Sequence, residues 1–402
     1  MKVAFLGDRL GLATGGNLYV ARVAEELAKL GVEVTLITLV PPKDVPWSPE
    51  LKIISEKVDF TFGKGPRPGS LVRFFQAKIG AVTRLRALIR EQYDILYSVG
   101  GPSNIVQALC RFGPFKPRVS VAAVFHLFRQ TSRRRFFLNP ETYRKPFQTF
   151  YHLCGDALAK RFMVVTVSET WRKKLITRGF SSDRIRVIPV GADKEGWPVL
   201  SSDKAKEQLG LSGRLVLYTN PFRIKKGVLR LLEAVVRLRE HYPGLLLLVS
   251  GRSDAETPKR VDRFLKRNQL ENHFQYAGLV PRDRLPLYYS AADIVALISQ
   301  EEEGWGLTLL EGLLSGKPVI CSPLGAMPEL VGEVGLVLKE NTLPDLIQTL
   351  KPWLDSAEER ERRGKEGPAQ AARFSYQSAA LAHLRLFEEA LSATGDPSGN
   401  RK

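Results

Sequence analysis

The sequence predicts an α/β protein made of two doubly wound parallel-sheet domains, on three observations. Short apolar runs alternate with longer amphipathic stretches along most of the chain. The alternation pauses at a polar segment near the middle and then starts again. The length of 402 residues matches about two domains at roughly 100–200 residues each. Strand–helix alternation marks a parallel sheet covered by helices on both faces.

Val3–Gly7 reads as the first strand. Because it follows Met1 and Lys2 directly, it is expected to be a strand and not part of a cleavable leader. Asn17–Leu30 has helical periodicity and stops at Gly31, a common helix terminator. Val32–Val40, Asp94–Val99, Val119–Phe125, Met163–Val167 and Ile185–Pro189 continue the strand series. The stretch Gly191–Pro198 carries two glycines and a proline and is the best boundary. It gives a first domain over 1–195 and a second over 196–375. In the second, Leu215–Thr219, Leu245–Ser250, Phe274–Ala277, Ile294–Ile298 and Pro318–Ile320 read as strands. From Ser392 the chain is rich in Ser, Gly and Asp, so 392–402 is expected to be a disordered tail. Ligands of open parallel sheets bind outside the carboxyl ends of the strands. Two such domains facing across a cleft would therefore hold a site between them.

Apolar content of 44% and charged content of 25% describe an ordinary soluble globular chain. No apolar run approaches the roughly 18–20 residues of a membrane-spanning helix. Cys110, Cys154 and Cys321 are odd in number and scattered, which argues against a disulfide framework and suits a reducing compartment. The expected location is cytoplasmic, with peripheral contact to the cytoplasmic membrane face left open. Formal net charge is +18, and it is unevenly placed. Residues 1–200 carry 32 Lys and Arg against 16 Asp and Glu, and the rest carry 28 against 26. That asymmetry calls for an anionic partner on the first half: nucleic acid, membrane surface or acidic substrate.

The residues that carry chemistry come directly after strands. Glu301–Glu311 lies between the strand ending near Ser299 and an apolar helix from Leu307. Gly304 and Gly306 let the backbone turn and approach a ligand closely. The helix start presents unpaired N–H groups and a positive dipole end, which suits a diphosphate. Glu303 can accept hydrogen bonds from sugar hydroxyls, and Glu311, about 7 Å along the helix, can meet a second diol such as a ribose. On spacing alone, a solvated acidic loop capping an ordinary helix is equally good. Gly15 and Gly16 precede the first helix and can bring amides to a phosphate or sugar, although a plain turn explains them too. They do not form the G-x-G-x-x-G dinucleotide pattern. Arg223 and Lys226, in Thr219–Gly227, place cations just after the first strand of the second half, where they can neutralise a leaving diphosphate. His126 closes the strand Val119–Phe125, and a lone histidine there is more often structural. His152, His241, His273 and His383 are read as structural.

The segment Glu303-Gly-Trp-Gly-Leu-Thr-Leu-Leu-Glu311 resembles the E-x7-E motif of family-4 retaining glycosyltransferases, which have the GT-B fold of two Rossmann-like domains. Those enzymes show Glu-Gly-Phe-Gly-Leu-Pro-x-x-Glu, so Trp305 replaces a Phe and Thr308 a Pro. Gly312–Ile320 and Gly325–Val331 resemble the family's segments C-terminal to the motif. The resemblance implies that Glu303 binds the donor sugar near its anomeric carbon. Gly306, Leu307 and Thr308 would hold the diphosphate and sugar through their backbone, and Glu311 the ribose. Gly15 and Gly16 match the family's glycine loop. The family also has Gly-Arg, four residues and then Lys-Gly. Lys226-Gly227 fits that pattern, but Pro221 stands at the arginine position and Arg223 is the candidate substitute. His126 would face the donor sugar. Residues 376–391 resemble the family's C-terminal helix, which crosses back to the first domain.

The implied activity is hexosyl transfer from a nucleoside diphosphate sugar to a hydroxyl of a glycan or lipid-linked acceptor, with retention of configuration. No Asp-x-Asp stands after a strand, so neither metal nor other cofactor is expected. The alternatives are a nucleotide-sugar epimerase or hydrolase on the same fold, and a non-catalytic polyanion-binding protein. Nucleic acid is not expected, for want of a recognisable module. Arg73, Lys78, Arg84, Arg86 and Arg90 interleave with Leu71, Phe74, Phe75, Ile79, Val82, Leu85 and Leu88, as in a basic amphipathic helix. A second mixture runs from Phe128 to Phe147. These read either as anchors to an anionic bilayer or as a basic solvated face over a buried apolar stripe.

Overall fold

Two parallel sheets organise the protein. The structure is a computed structural model describing residues 1–7, 10, 15–39, 47–49, 51–55, 80–124, 154–192, 194 and 196–395. The first sheet has the order β3-β2-β1-β4-β5-β6-β7. Its strands are β1 (Lys2–Gly7), β2 (Glu33–Thr38), β3 (Lys52–Ser55), β4 (Ile95–Val99), β5 (Val119–Ala123), β6 (Met163–Thr166) and β7 (Ile185–Val187). The second has the order β10-β9-β8-β11-β12-β13. Its strands are β8 (Arg214–Thr219), β9 (Leu245–Ser250), β10 (Phe274–Tyr276), β11 (Ile294–Leu297), β12 (Val319–Cys321) and β13 (Leu336–Val337). Every pairing within both sheets is parallel. The central strands are continuous apolar runs because helices cover both faces and leave no solvated side. β3 and β13 escape the sequence reading. β3 is half exposed at an edge, and β13 has only two residues.

Contacts divide the chain into two units. The first comprises Met1–Val167, Trp171–Pro189 and Tyr376–Lys402, and the second Ser168–Thr170 and Val190–Ser375. In each, the direction of chain progression reverses beside the first strand, between β1 and β4 and between β8 and β11. The helix Val228–Leu238 illustrates how the second unit closes. Val228, Leu231, Leu232, Val235 and Leu238 recur on one face and are all buried. Each such side chain contributes roughly 1.5–3 kcal/mol over remaining exposed.

In the first unit the helix Gly15–Lys29 buries Tyr19, Val20, Val23, Ala24 and Leu27 and packs against the C-terminal helix Tyr376–Gly395. That helix is longer than the sequence suggests. Residues 392–395, assigned to a tail, are helical, and 396–402 lie outside the described residues. The three cysteines are free, as their spacing suggests. Among the described residues no helix is long and apolar enough to cross a membrane.

Where the structure describes the basic amphipathic segment, it favours the second of its two readings, a basic solvated face over a buried apolar stripe. Residues 80–87 form a helix, but Val82, Leu85, Leu88 and Ile89 are buried in the core beside β1, β2 and β4. Over residues 80–90 the apolar side chains are committed to the fold, whereas Leu71, Phe74, Phe75 and Ile79 lie outside the described residues. Arg84, Arg86 and Arg90 remain exposed. Arg73, Lys78 and the mixture from Phe128 to Phe147 lie outside the described residues.

Candidate functional site

The second unit brings two chain segments together where ligands of open parallel sheets bind, outside the strand carboxyl ends at the reversal of strand order. One segment leaves β8 at Thr219, and the other leaves β11 and reaches Gly306. Lys226 lies in the first and Glu303 in the second, 77 positions apart in the chain, and Lys226 Nζ donates to Glu303 Oε1 at 2.7 Å. Their side chains are 19% and 14% exposed, so the pair is shielded but reachable.

Two glycines set this geometry. Gly227 has φ +94°, and a Cβ there would sit 1.8 Å from the Ile298 carbonyl oxygen. Only a glycine lets the turn rest on the end of β11. Gln300 then donates its backbone N–H to the Lys225 carbonyl at 2.9 Å, and Lys225 pairs with Glu301 at 3.3 Å. Gly325 has φ +67°, and a Cβ there would lie 2.3 Å from the Glu303 carbonyl oxygen. The Ala326 N–H donates to that same oxygen at 3.2 Å. The Glu303 backbone is thus held against the Gly325–Ala326 segment.

Gly306 has φ +108° and begins the helix Leu307–Leu314 with no side-chain cap. The first-turn N–H groups and the positive dipole end point out of the helix, a disposition that favours an anion. Thr308, where the resembling family has Pro, is buried and hydrogen bonded. Its Oγ1 accepts from Asn220 Nδ2 at 2.8 Å and donates to the Thr219 carbonyl. Trp305 is buried edge-on against Phe374, with centroids 5.1 Å apart.

Glu311 is buried and fully engaged on the same helix. Its Oε1 accepts from Arg282 at 2.8 Å and its Oε2 from the Tyr289 hydroxyl at 2.8 Å. The Tyr289 hydroxyl also meets Thr219 Oγ1, and burial, followed by the charge of Glu311, pushes it well above its usual range. Arg282 lies over the Trp197 ring at 5.4 Å. Trp197 Nε1 donates to Ser315 Oγ at 2.8 Å, and Ser315 Oγ donates to the Glu311 carbonyl at 2.8 Å. Trp197, read from sequence as linker, is therefore a buried wall behind Glu311.

Arg223 is exposed at the start of the turn holding Lys226, and its charge bears on Asp254 and on Tyr218. No ion pair joins it to Glu303 among the described residues. Burial first, and then the Glu303 charge, raise the Tyr218 hydroxyl, which donates to the Pro221 carbonyl at 3.1 Å. Gly15 and Gly16 open the first helix of the other unit. His126 lies outside the described residues. Of the four other histidines, His273 Nδ1 lies 2.8 Å from the Leu245 carbonyl, and His383 is wholly buried. Asn220, Tyr289, Arg282 and Ser315 escaped the sequence reading. The one signal was Asn220, which precedes the Pro221 that stands where the resembling pattern has arginine.

Two family models match the chain. The one described as Glycosyltransferase Family 4 matches residues 13–195, and the one described as Glycosyl transferases group 1 matches residues 201–370. The D-inositol 3-phosphate glycosyltransferase of Corynebacterium aurimucosum is 27% identical over 400 residues, covering 95% of this chain and 92% of that one. The O-antigen chain mannosyltransferase B of Escherichia coli is 28% identical over 242 residues, covering 58% and 62%. Among solved structures, the sucrose-phosphate synthase of Thermosynechococcus elongatus matches with a TM-score of 0.79 at 21% identity, covering 98% of this chain and 100% of that one. Anabaena HepE in complex with UDP and glucose matches with a TM-score of 0.74 at 20% identity, covering 96% and 99%.

Proposed function

The chain belongs to family 4 of the glycosyltransferases and has their GT-B fold, and on that premise we propose that it moves a hexosyl group from a nucleoside diphosphate sugar to a hydroxyl of a glycan or lipid-linked acceptor, with retention at the anomeric carbon. The observation that carries this reading is the Lys226–Glu303 pair beside an uncapped helix start. It places a cation, a carboxylate and outward N–H groups around one point at the strand-order reversal. A diphosphate leaving group needs the first and third, and sugar hydroxyls need the second. The names of the relatives, an inositol-phosphate glycosyltransferase and a mannosyltransferase, and the UDP and glucose held by HepE support the same class of donor.

In this mechanism the anomeric carbon–phosphate oxygen bond breaks as the acceptor oxygen bonds the anomeric carbon on the same face. The acceptor's proton passes to the departing diphosphate. Lys226 and Arg223 stabilise the charge on that diphosphate, together with the N–H groups of Leu307 and Thr308. Glu303 positions the sugar through its hydroxyls, and the family resemblance assigns the donor sugar to His126 as well, and donor phosphate and acceptor to Gly15 and Gly16. The Glu311 carboxylate receives the ribose diol. Buried Tyr289 holds Oε2, so the ribose takes the place of Arg282 on Oε1. Arg282, with 32% of its side chain exposed, has room to withdraw along the Trp197 ring.

No step uses a metal, so a chelator should leave turnover unchanged. The setting is cytoplasmic, with the basic first unit meeting an anionic membrane surface and no nucleic acid. The test is Glu303→Ala, assayed with a nucleoside diphosphate sugar chosen by a thermal-shift screen. Turnover should vanish while the melting temperature still rises with the nucleoside diphosphate. Wild-type turnover in that variant would sink the assignment. Consumption of the donor without any acceptor would favour an epimerase or hydrolase.

A further inference from the structure

We propose that the first unit docks on an anionic bilayer through the loop after the helix Gly101–Cys110, with Phe112 as the inserted side chain and the neighbouring arginines as the charge anchor. This deepens the membrane part of the reading above, and it moves the contact away from the amphipathic stripe that the core consumes. Phe112 is 89% exposed, the highest figure among the large hydrophobic side chains of the described residues. Leu109 and Phe115, on either side of it, are each 38% exposed. A phenyl group held this far into water costs free energy unless something apolar receives it.

The surroundings say what that partner is. Beside the loop lies a groove of about 520 Å³, lined in part by Arg86, Arg90, Cys110 and Phe115. Arg111 and Lys116 flank Phe112 and are exposed. Among the described residues no ion pair holds Arg86, Arg90, Arg111 or Lys116. The nearby carboxylates are already committed, Glu91 to Lys2 and Lys52, and Asp94 to Arg118. Glu91 is held near a pKa of about 2 by those lysines and remains their counter-ion. Two exposed cations on the groove and two more on the loop that carries Phe112, none of them in an ion pair among the described residues, match an anionic interface, where apolar insertion and headgroup attraction act together. A free polyanion would supply the charge but gives the phenyl group nothing to enter. The patch lies at the amino ends of the strands, since the loop leads into β5 beside Asp94. Docking there leaves the strand carboxyl ends of this unit open.

The test is co-sedimentation of the full chain with vesicles of phosphatidylcholine, with and without phosphatidylglycerol at about one-third, at physiological salt. Wild type should bind only the anionic vesicles. Phe112→Ser should weaken binding about tenfold or more, the partition loss of one phenyl group. Arg86→Gln with Arg90→Gln should weaken it about fivefold per charge. Removing two cations elsewhere, Lys204→Gln with Lys259→Gln, should change little. In Phe112→Trp, brominated acyl chains should quench emission beyond the wild-type background. Wild-type binding retained in Phe112→Ser, with no added quenching in Phe112→Trp, would overturn the insertion while leaving a purely electrostatic membrane contact standing. No binding of wild type to anionic vesicles would remove the membrane reading altogether. Vesicle binding is read without turnover, so the transfer reaction stands or falls separately.

Discussion

Acid should weaken the first unit through one histidine. His383 lies on the C-terminal helix, wholly buried, with Nε2 3.2 Å from the Tyr97 hydroxyl and 3.5 Å from that of Tyr19. Its Nδ1 is 2.7 Å from the Ala379 carbonyl, which assigns the proton of the neutral ring to Nδ1 and leaves Nε2 to accept. Burial lowers its pKa from 6.5 to about 4. Between those values the unfolded chain binds a proton that the folded protein refuses, so stability rises with pH across the window and is lost as pH falls. Linkage gives a loss of about 2 kcal/mol by pH 5, approaching about 3 kcal/mol once both states are protonated. The assay is urea unfolding of wild type and His383→Gln at pH 7.5, 6 and 5. Glutamine keeps a donor and an acceptor but does not titrate. Carboxylates titrate alike in both proteins, so the stability gap isolates His383. The gap should shift against wild type by about 2 kcal/mol between pH 7.5 and pH 5. Parallel loss of stability in the two proteins would refute the reasoning.

Two further outcomes are expected in the second unit. Gly227→Ala forces a Cβ to within 1.8 Å of the Ile298 carbonyl oxygen at φ +94°, so the turn carrying Lys226 must move. Melting of the second unit should fall by an amount equivalent to about 3 kcal/mol or more, with loss of turnover; an unchanged melting temperature would mean that the turn is not seated on β11. Lys317 donates to the Ser290 carbonyl at 2.6 Å, and burial lowers its pKa to about 8, with Lys206 and Arg360 adding to the shift against Asp293. Its folded pKa is depressed, so stability should rise as pH climbs from 8 towards 10.5, and Lys317→Met should flatten that rise in a pH series of thermal melts. A wild-type slope in the variant would place the proton elsewhere.

The two halves of the candidate site were legible in the sequence to different degrees. Glu303, Lys226 and the glycines around them stand directly after strands, and local pattern is enough to find such positions. Nothing local says that Lys226 meets Glu303, because the contact depends on β8 lying next to β11 across several intervening elements. Glu311 was legible as a carboxylate on a helix, but its partners were not. Arg282 and Tyr289 come from the stretch between the strands Phe274–Ala277 and Ile294–Ile298, in which the sequence shows no motif, and Trp197 from one that reads as linker. The Thr308–Asn220 bond links two positions 88 residues apart. Only the packed structure makes that connection visible.

By itself the sequence determined the element types, the division into two sheet-bearing halves and the positions directly after strands. These depend on which consecutive residues must be buried, and that pattern is written in apolar runs of period near one and stripes of helical period. The tertiary structure alone decided which of those positions touch. It also decided that Val82, Leu85 and Leu88 of the basic helix belong to the core, that Phe112 does not, and that His383 is sealed between two tyrosines. Strand order and helix docking set these outcomes over tens to hundreds of residues. Burial at such range is a property of the whole packing and not of any segment.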